Sequence, residues 1–530
     1  MAIDDPVQGP ETDDPPARRP GEAPDTATGA DADTGTNIGA DTGTRTGANT
    51  GTRTGANIGT RTGANTGTPS VWSSLRPLVL RLHFYAGLLI APLLLIAATS
   101  GFLYALSFQA EKVVYRHELR VPVGDRTLPL SEQLDAARAA RPDGTVTSVR
   151  LPAEDGATTR VLMSTPDAEE SKSLAVFVDP YTAEVRGELT SYGSSGALPL
   201  RTWISELHRH LLLGEPGRVY SELAASWLWV VALGGVLLWL ARTRTSKRAL
   251  LTPERGATGR RRTLSLHGSL GLWAVTGLVL LSATGLTWSK YAGENIGSVK
   301  DQLGGGTPAV SAALEGGTGG AGGGHEGHES MPGMEDMPGM EGMSGGDVGI
   351  DLAVVAARQA GLDGPVSVTL PTPGTGYVVA QTDTQFPVRL DSVAIDPANG
   401  TVMDELRFAD YPLLAKLTRF GIDAHMGLFL GVVNQLALAA LALSLILIIC
   451  WGYRMWWLRR PTKDRKLSAG RAIPRGAWRK VPLTMLLPLA AAVALIGWFL
   501  PLLGISLLVF LALDGLLALR ARARARTART

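Results

Sequence analysis

The chain has 530 residues, 45% of them apolar and 18% charged, with a formal net charge of +2. Long uncharged runs in that composition mark an integral membrane protein, and so small a net charge leaves no electrostatic footprint for nucleic acid. The single cysteine, Cys450, excludes an intramolecular disulfide framework.

Residues 1–74 are rich in Gly, Thr, Asp and Pro, and Thr44 to Gly67 repeats a phrase close to TRTGANTG. Such a segment buries too little apolar surface to offset its ordering entropy, so it is expected to be a disordered cytoplasmic tail. The first membrane helix is predicted over 75–108, too long and too late in the chain for a cleavable signal. A soluble domain is predicted over 109–222, a second span over 223–241, a basic loop over 242–263 and a third span over 264–289. A linker over 290–346 carries a Gly/His/Met-rich insert. A second soluble domain follows over 347–424, a fourth span over 425–458 and a second basic loop over 459–480. Residues 481–519 read as a hairpin of two helices turning at Pro501-Leu502-Leu503-Gly504, and 520–530 as an Arg-rich tail. The expected fold is an α-helical integral membrane protein with about six transmembrane helices, since about 20 apolar residues cross the hydrocarbon core. Lys and Arg crowd the 242–263 and 459–480 loops and the tail, which places these and both termini in the cytoplasm and the two soluble domains outside.

Each soluble domain has the same predicted plan. In the first, Ser131 to Ala140 reads as a helix, and Val146 to Leu151, Arg160 to Thr165, Leu174 to Val178 and Glu184 to Leu189 read as strands. In the second, Asp351 to Ala360 is helical, with strands at Val366 to Leu370, Tyr377 to Gln381 and Ser392 to Ile395. These are two small α+β domains.

The two halves repeat each other. His83, Gly87 and Gly101 recur as His267, Gly271 and Gly285, while His208, Gly214, Gly235 and Trp239 recur as His425, Gly431, Gly452 and Trp456. Ser148-Val149-Arg150-Leu151-Pro152 echoes Ser367-Val368-Thr369-Leu370-Pro371, and Val178-Asp179-Pro180 echoes Ile395-Asp396-Pro397. Duplication sets equivalent imidazoles at equivalent membrane depths across a pseudo-two-fold axis, which lets two histidines clamp one metal from opposite sides. His83 pairs in this way with His267, and His208 with His425. A single interfacial histidine serves equally well as a polar anchor; two symmetric pairs point to ligation. His210 has no histidine counterpart, since Gly427 stands there, and is the competing ligand to His208. In the insert, His325 and His328 precede Met331, Met334, Met337, Met340 and Met343 at three-residue steps. Thioethers favour Cu(I) and imidazole accepts Cu(II), so this loop is a candidate copper site, or else a low-complexity linker.

The Leu82-His83 pair with Gly87 and Gly101, the VDPYTAEV phrase, Leu207-His208-Arg209-His210 and the Leu266-His267 repeat together resemble the PepSY-associated transmembrane family over roughly Leu75 to Arg460. The family includes bacterial inner-membrane siderophore reductases. The resemblance implies two PepSY-like outer domains, an inner-membrane location and two b-type haems held by the histidine pairs. It also implies electron flow from a cytoplasmic or quinol donor to Fe(III) in an extracytoplasmic chelate, or to Cu(II). Arg81, Arg209, Arg218 and Arg419 then become candidate partners for haem propionates, or simply mark the membrane boundary. Trp229, Trp273, Trp288 and Tyr104 are candidates to pack around the macrocycles or to form interfacial belts. Asp514 reads as a solvated helix-end residue. The basic loops contain no GxGxxG on a strand–helix unit, so the donor is expected to be a separate molecule. Two other readings compete: a non-enzymatic membrane module that binds peptides or a peptidase, and a copper-delivery protein built on the Met-rich loop.

Overall fold

A computed structural model describes residues 71–527 apart from 168, 170, 243–246, 315–345 and 460–480. Helices α1 (Val71–Leu89) and α2 (Ala91–Val114) form one kinked path. Pro92 has no N–H to give the Leu88 carbonyl, and the Tyr453 hydroxyl donates to that carbonyl instead, at 3.0 Å. A single turn, α3 (Arg116–Leu119), leads to α4 (Leu130–Ala140) and four strands, β1 (Thr145–Arg150), β2 (Thr159–Ser164), β3 (Lys172–Val178) and β4 (Val185–Tyr192). Helices α5 (Pro199–His210), α6 (Glu215–Leu240), α7 (Gly259–Leu286) and α8 (Tyr291–Gln302) follow. The second copy supplies α9 (Gly349–Gln359), β5 (Val366–Thr369), β6 (Tyr377–Gln381), β7 (Ser392–Ile395), β8 (Val402–Leu406), α10 (Leu413–Met426) and α11 (Val432–Trp457). Helices α12 (Leu483–Phe499) and α13 (Pro501–Thr527) close the chain.

Five helices, α2, α6, α7, α11 and α13, are long and apolar enough to cross a membrane, and α12 is an apolar helix of 17 residues. The chain is therefore a multi-pass membrane protein. Helices α2, α6, α7 and α11 form a ring in which each packs along its neighbours. Ala98, Leu94, Ala224, Trp227, Leu278 and Leu445 fill its interior. Two expectations need correction. The predicted first span is broken at Ile90 by Pro92, so His83 sits on a helix of its own. The C-terminal turn falls at Leu500, ahead of the predicted Pro501 to Gly504, because proline at the first position of α13 gives up a donor that has no partner there anyway. Helix α13 then runs on through most of the predicted tail.

The two soluble domains share one antiparallel sheet in the order β4-β3-β2-β1-β5-β6-β7-β8. The seam is β1 against β5, where Val149 faces Val368 and Arg150 faces Ser367, and the Leu151 N–H donates to the Val366 carbonyl at 3.1 Å. Strand alternation sends Val149, Val161, Val176, Val368, Val379 and Val393 to one face, where α4 and α9 cover them. Pro129 leaves the first turn of α4 without a side-chain cap. Asp351 of the other copy supplies it, accepting from the Leu130 and Ser131 N–H groups at 2.7 and 3.1 Å. On the opposite face Leu162, Ala175 and Phe177 pack with Leu198, the residue that leads into α5. That contact joins the sheet to the bundle.

Candidate functional site

The four repeated histidines lie at two levels of the bundle. At the level further from the sheet, His83 of α1 and His267 of α7 have ring centroids 6.2 Å apart with planes at 77°. His83 Nδ1 lies 2.9 Å from the Val231 carbonyl on α6, and His267 Nδ1 lies 2.9 Å from the Ile448 carbonyl on α11. A carbonyl only accepts, so Nδ1 carries the proton in both rings and Nε2 keeps its lone pair. Two imidazoles bound through Nε2 to one metal, at about 2 Å per bond, have centroids roughly 6 Å apart.

At the level nearer the sheet, His208 lies in the last turn of α5 and His425 in the last turn of α10. His208 Nδ1 lies 2.9 Å from Ser100 Oγ on α2, and His425 Nδ1 lies 2.7 Å from Thr284 Oγ1 on α7. Each hydroxyl already has carbonyls of its own helix to donate to, Ile96 at 2.9 Å for Ser100 and Leu280 at 2.7 Å for Thr284. The hydroxyl oxygen is thus left to accept from Nδ1–H, and Nε2 is again the free nitrogen. His267 and Thr284 stand 17 positions apart on α7, which sets the two levels about 25 Å apart along the helix.

Glycine placement follows the same symmetry. A Cβ on Gly101 would touch His208 at 3.4 Å and one on Gly285 would touch His425 at 3.5 Å, while Gly235 and Gly452 face His83 and His267 at 2.8 and 3.8 Å. Gly87 and Gly271, one turn beyond His83 and His267 on the same helical face, have open space where a Cβ would stand. Gly214 and Gly431 both precede a spanning helix with positive φ, a turn conformation that other residues adopt with strain. Imidazoles with engaged Nδ1 atoms and free Nε2 atoms, beside glycine-lined space, are a donor set that would hold a flat metal macrocycle. Among the described residues no group of three or more His, Cys, Asp or Glu side chains gathers as a metal cluster.

Sequence reading did not single out Ser100, Thr284 or the Val231 and Ile448 carbonyls. The signal was present, since Ser100-Gly101 and Thr284-Gly285 are equivalent positions and both pairs put a hydroxyl directly before a repeated glycine. His210 stays apart from the pairs. Its Nδ1 is buried with no hydrogen-bond partner among the described residues, and burial, reinforced by the neighbouring Arg209 charge, holds its pKa below the usual imidazole value. His325, His328, Met331, Met334, Met337, Met340 and Met343 lie outside the described residues.

The candidate arginines have protein partners. Arg218 pairs with Glu215 at 3.0 Å and Arg419 with the fully buried Asp423 at 3.0 Å, while Arg209 stacks on the Tyr192 ring. Arg81 pairs with Asp514, so that residue is a docking contact for α13 and not the solvated helix end expected. Trp288 packs edge-on against His425 with centroids 5.3 Å apart, Trp229 packs against the bundle interior, Tyr104 packs on Phe108, and Trp273 is exposed. No curated protein matches the chain. The family described as the PepSY-associated TM region matches residues 80–459, well over half of the sequence, and the chain belongs to that family.

Proposed function

We propose that this protein is a transmembrane di-haem metalloreductase of the inner membrane. In this reading His83 with His267, and His208 with His425, each hold one b-type haem, and the sheet lies on the extracytoplasmic side. The observation that carries it is the hydrogen-bond pattern: four imidazoles in two symmetric pairs, each with Nδ1 engaged and Nε2 left free. The haems, held by these four imidazoles, would supply one-electron transfer.

The chain's own contribution is orientation and exclusion. The Val231 and Ile448 carbonyls and the Ser100 and Thr284 hydroxyls fix which ring nitrogen is protonated and which way each ring faces. Gly235 and Gly101 let the neighbouring helices close on the rings. The apolar ring of α2, α6, α7 and α11 keeps water from the path between the two levels. At the outer surface each chelated Fe(III) gains one electron and leaves as Fe(II), which oxygen-donor chelators hold less well. A quinol donor loses two electrons and two protons, and so serves two ferric ions.

The test is reoxidation. Protein reduced with dithionite and freed of excess reductant is mixed with a ferric hydroxamate or catecholate chelate while the haem bands are followed. Reoxidation matched by one Fe(II) per electron, trapped with a ferrous-specific chelator, is expected. Haem bands that stay reduced in the presence of every ferric chelate and of Cu(II) would contradict the reading.

A further inference from the structure

The two histidine pairs differ in what stands behind them. Both distal nitrogens of the pair further from the sheet donate to main-chain carbonyls, Val231 and Ile448. Those of the pair nearer the sheet face side-chain hydroxyls, Ser100 and Thr284. The difference is systematic, because Val231 and Ile448 are equivalent positions of the two copies, as are Ser100 and Thr284. An amide carbonyl is a stronger acceptor than an alcohol oxygen. A stronger acceptor on Nδ1–H gives the ring more imidazolate character, makes Nε2 a better donor to the metal, and so favours the more oxidised metal.

Resting on the di-haem reading above, we propose that these unequal acceptors give the Ser100/Thr284-backed centre the higher reduction potential, so that electron transfer from the His83/His267 level toward the sheet is downhill. Ser100 and Thr284 are positioning residues: they touch the ligands and set ligand basicity. Ser100 is buried and Thr284 half-buried, and their own donation to the Ile96 and Leu280 carbonyls holds each oxygen where the ring proton needs it. The Ala97 carbonyl also stands beside His208, which makes Thr284 the cleaner of the two to change. Among the described residues His83 and His267 meet main-chain carbonyls and no hydroxyl, so the device is confined to one level.

The experiment is an optical redox titration of the purified full chain, comparing wild type with Thr284→Val, Ser100→Ala, Thr284→Ser and Ser100→Thr. Valine keeps the methyl that packs against Gly421 while removing the acceptor. Wild type should titrate in two waves, the lower one absent in His83→Ala. Thr284→Val should move only the upper wave, and move it upward, because His425 loses its acceptor; Ser100→Ala should do the same to a smaller extent. Thr284→Ser and Ser100→Thr should titrate like wild type. An upper wave that stays in place or falls in Thr284→Val, or a lower wave that belongs to His425, overturns the proposal. Wild-type protein without haem would instead defeat the di-haem reading itself.

Discussion

At the residue scale, helix backbone closes tightly on one of the imidazoles. A Cβ on Gly235 would lie 2.8 Å from His83 Cε1, and the ring cannot retreat without breaking its bond to Val231, whereas the equivalent Cβ on Gly452 would sit at an ordinary 3.8 Å from His267. Alanine in place of glycine otherwise favours a helix by about 0.5–1 kcal/mol, so neither substitution should harm folding. Gly235→Ala is therefore predicted to lose the haem signal of the His83/His267 level at normal expression. Gly452→Ala should keep it. Equal haem content in the two purified variants would show that the approach to His83 does not matter. The four ligand candidates were legible in the sequence because duplication marks them twice. The acceptors behind them were half legible: Ser100 and Thr284 repeat in step, but Val231 and Ile448 act through backbone carbonyls, which no side-chain pattern reveals. His210 could not be separated from His208 by spacing alone, and only the fold shows which of the two meets Ser100.

At the element scale, the break between α1 and α2 is a compensated defect. Pro92 removes the donor that the Leu88 carbonyl needs, and Tyr453 of α11 replaces it across the bundle. Tyr453→Phe should cost about 0.5–1.5 kcal/mol by removing the hydrogen bond to this part-buried carbonyl. The same change in a Pro92→Ala background should cost less, since an alanine N–H can reach Leu88 within the helix. A thermal-unfolding cycle in detergent measures the difference, and equal costs in both backgrounds would refute this link. The sequence pointed to a continuous first span because hydropathy does not register where a proline falls relative to the carbonyl one turn back. Helices α5 and α10 were missed as separate elements for a related reason: both are amphipathic and lie between a strand and a span, so neither apolar length nor strand alternation marks them. Most strands were placed to within one or two residues, since alternation about a buried face is a local signal. Strand β8 was not, because its Val402–Leu406 stretch carries Asp404 and Glu405 and has no buried residue.

At the scale of the whole molecule, the soluble part reads as two domains in sequence and is one sheet in space. Pairing of β1 with β5 joins residues more than two hundred positions apart, and no local pattern encodes a register of that separation. Asp351 capping α4 across the same seam ties the copies a second time. Helix α5 packs on α2, α6 and β4, helix α10 packs on α7, and these two helices carry His208 and His425. On the di-haem reading, the duplicated architecture supplies one imidazole pair at each of two depths. The most direct test is the reduced-minus-oxidised absorption spectrum of purified wild type, His83→Ala and His425→Ala. Two low-spin b-type contributions in wild type are predicted, one lost in His83→Ala and the other in His425→Ala. A wild-type protein that is colourless when expressed in haem-replete cells, or two variants that lose the same contribution, would contradict it.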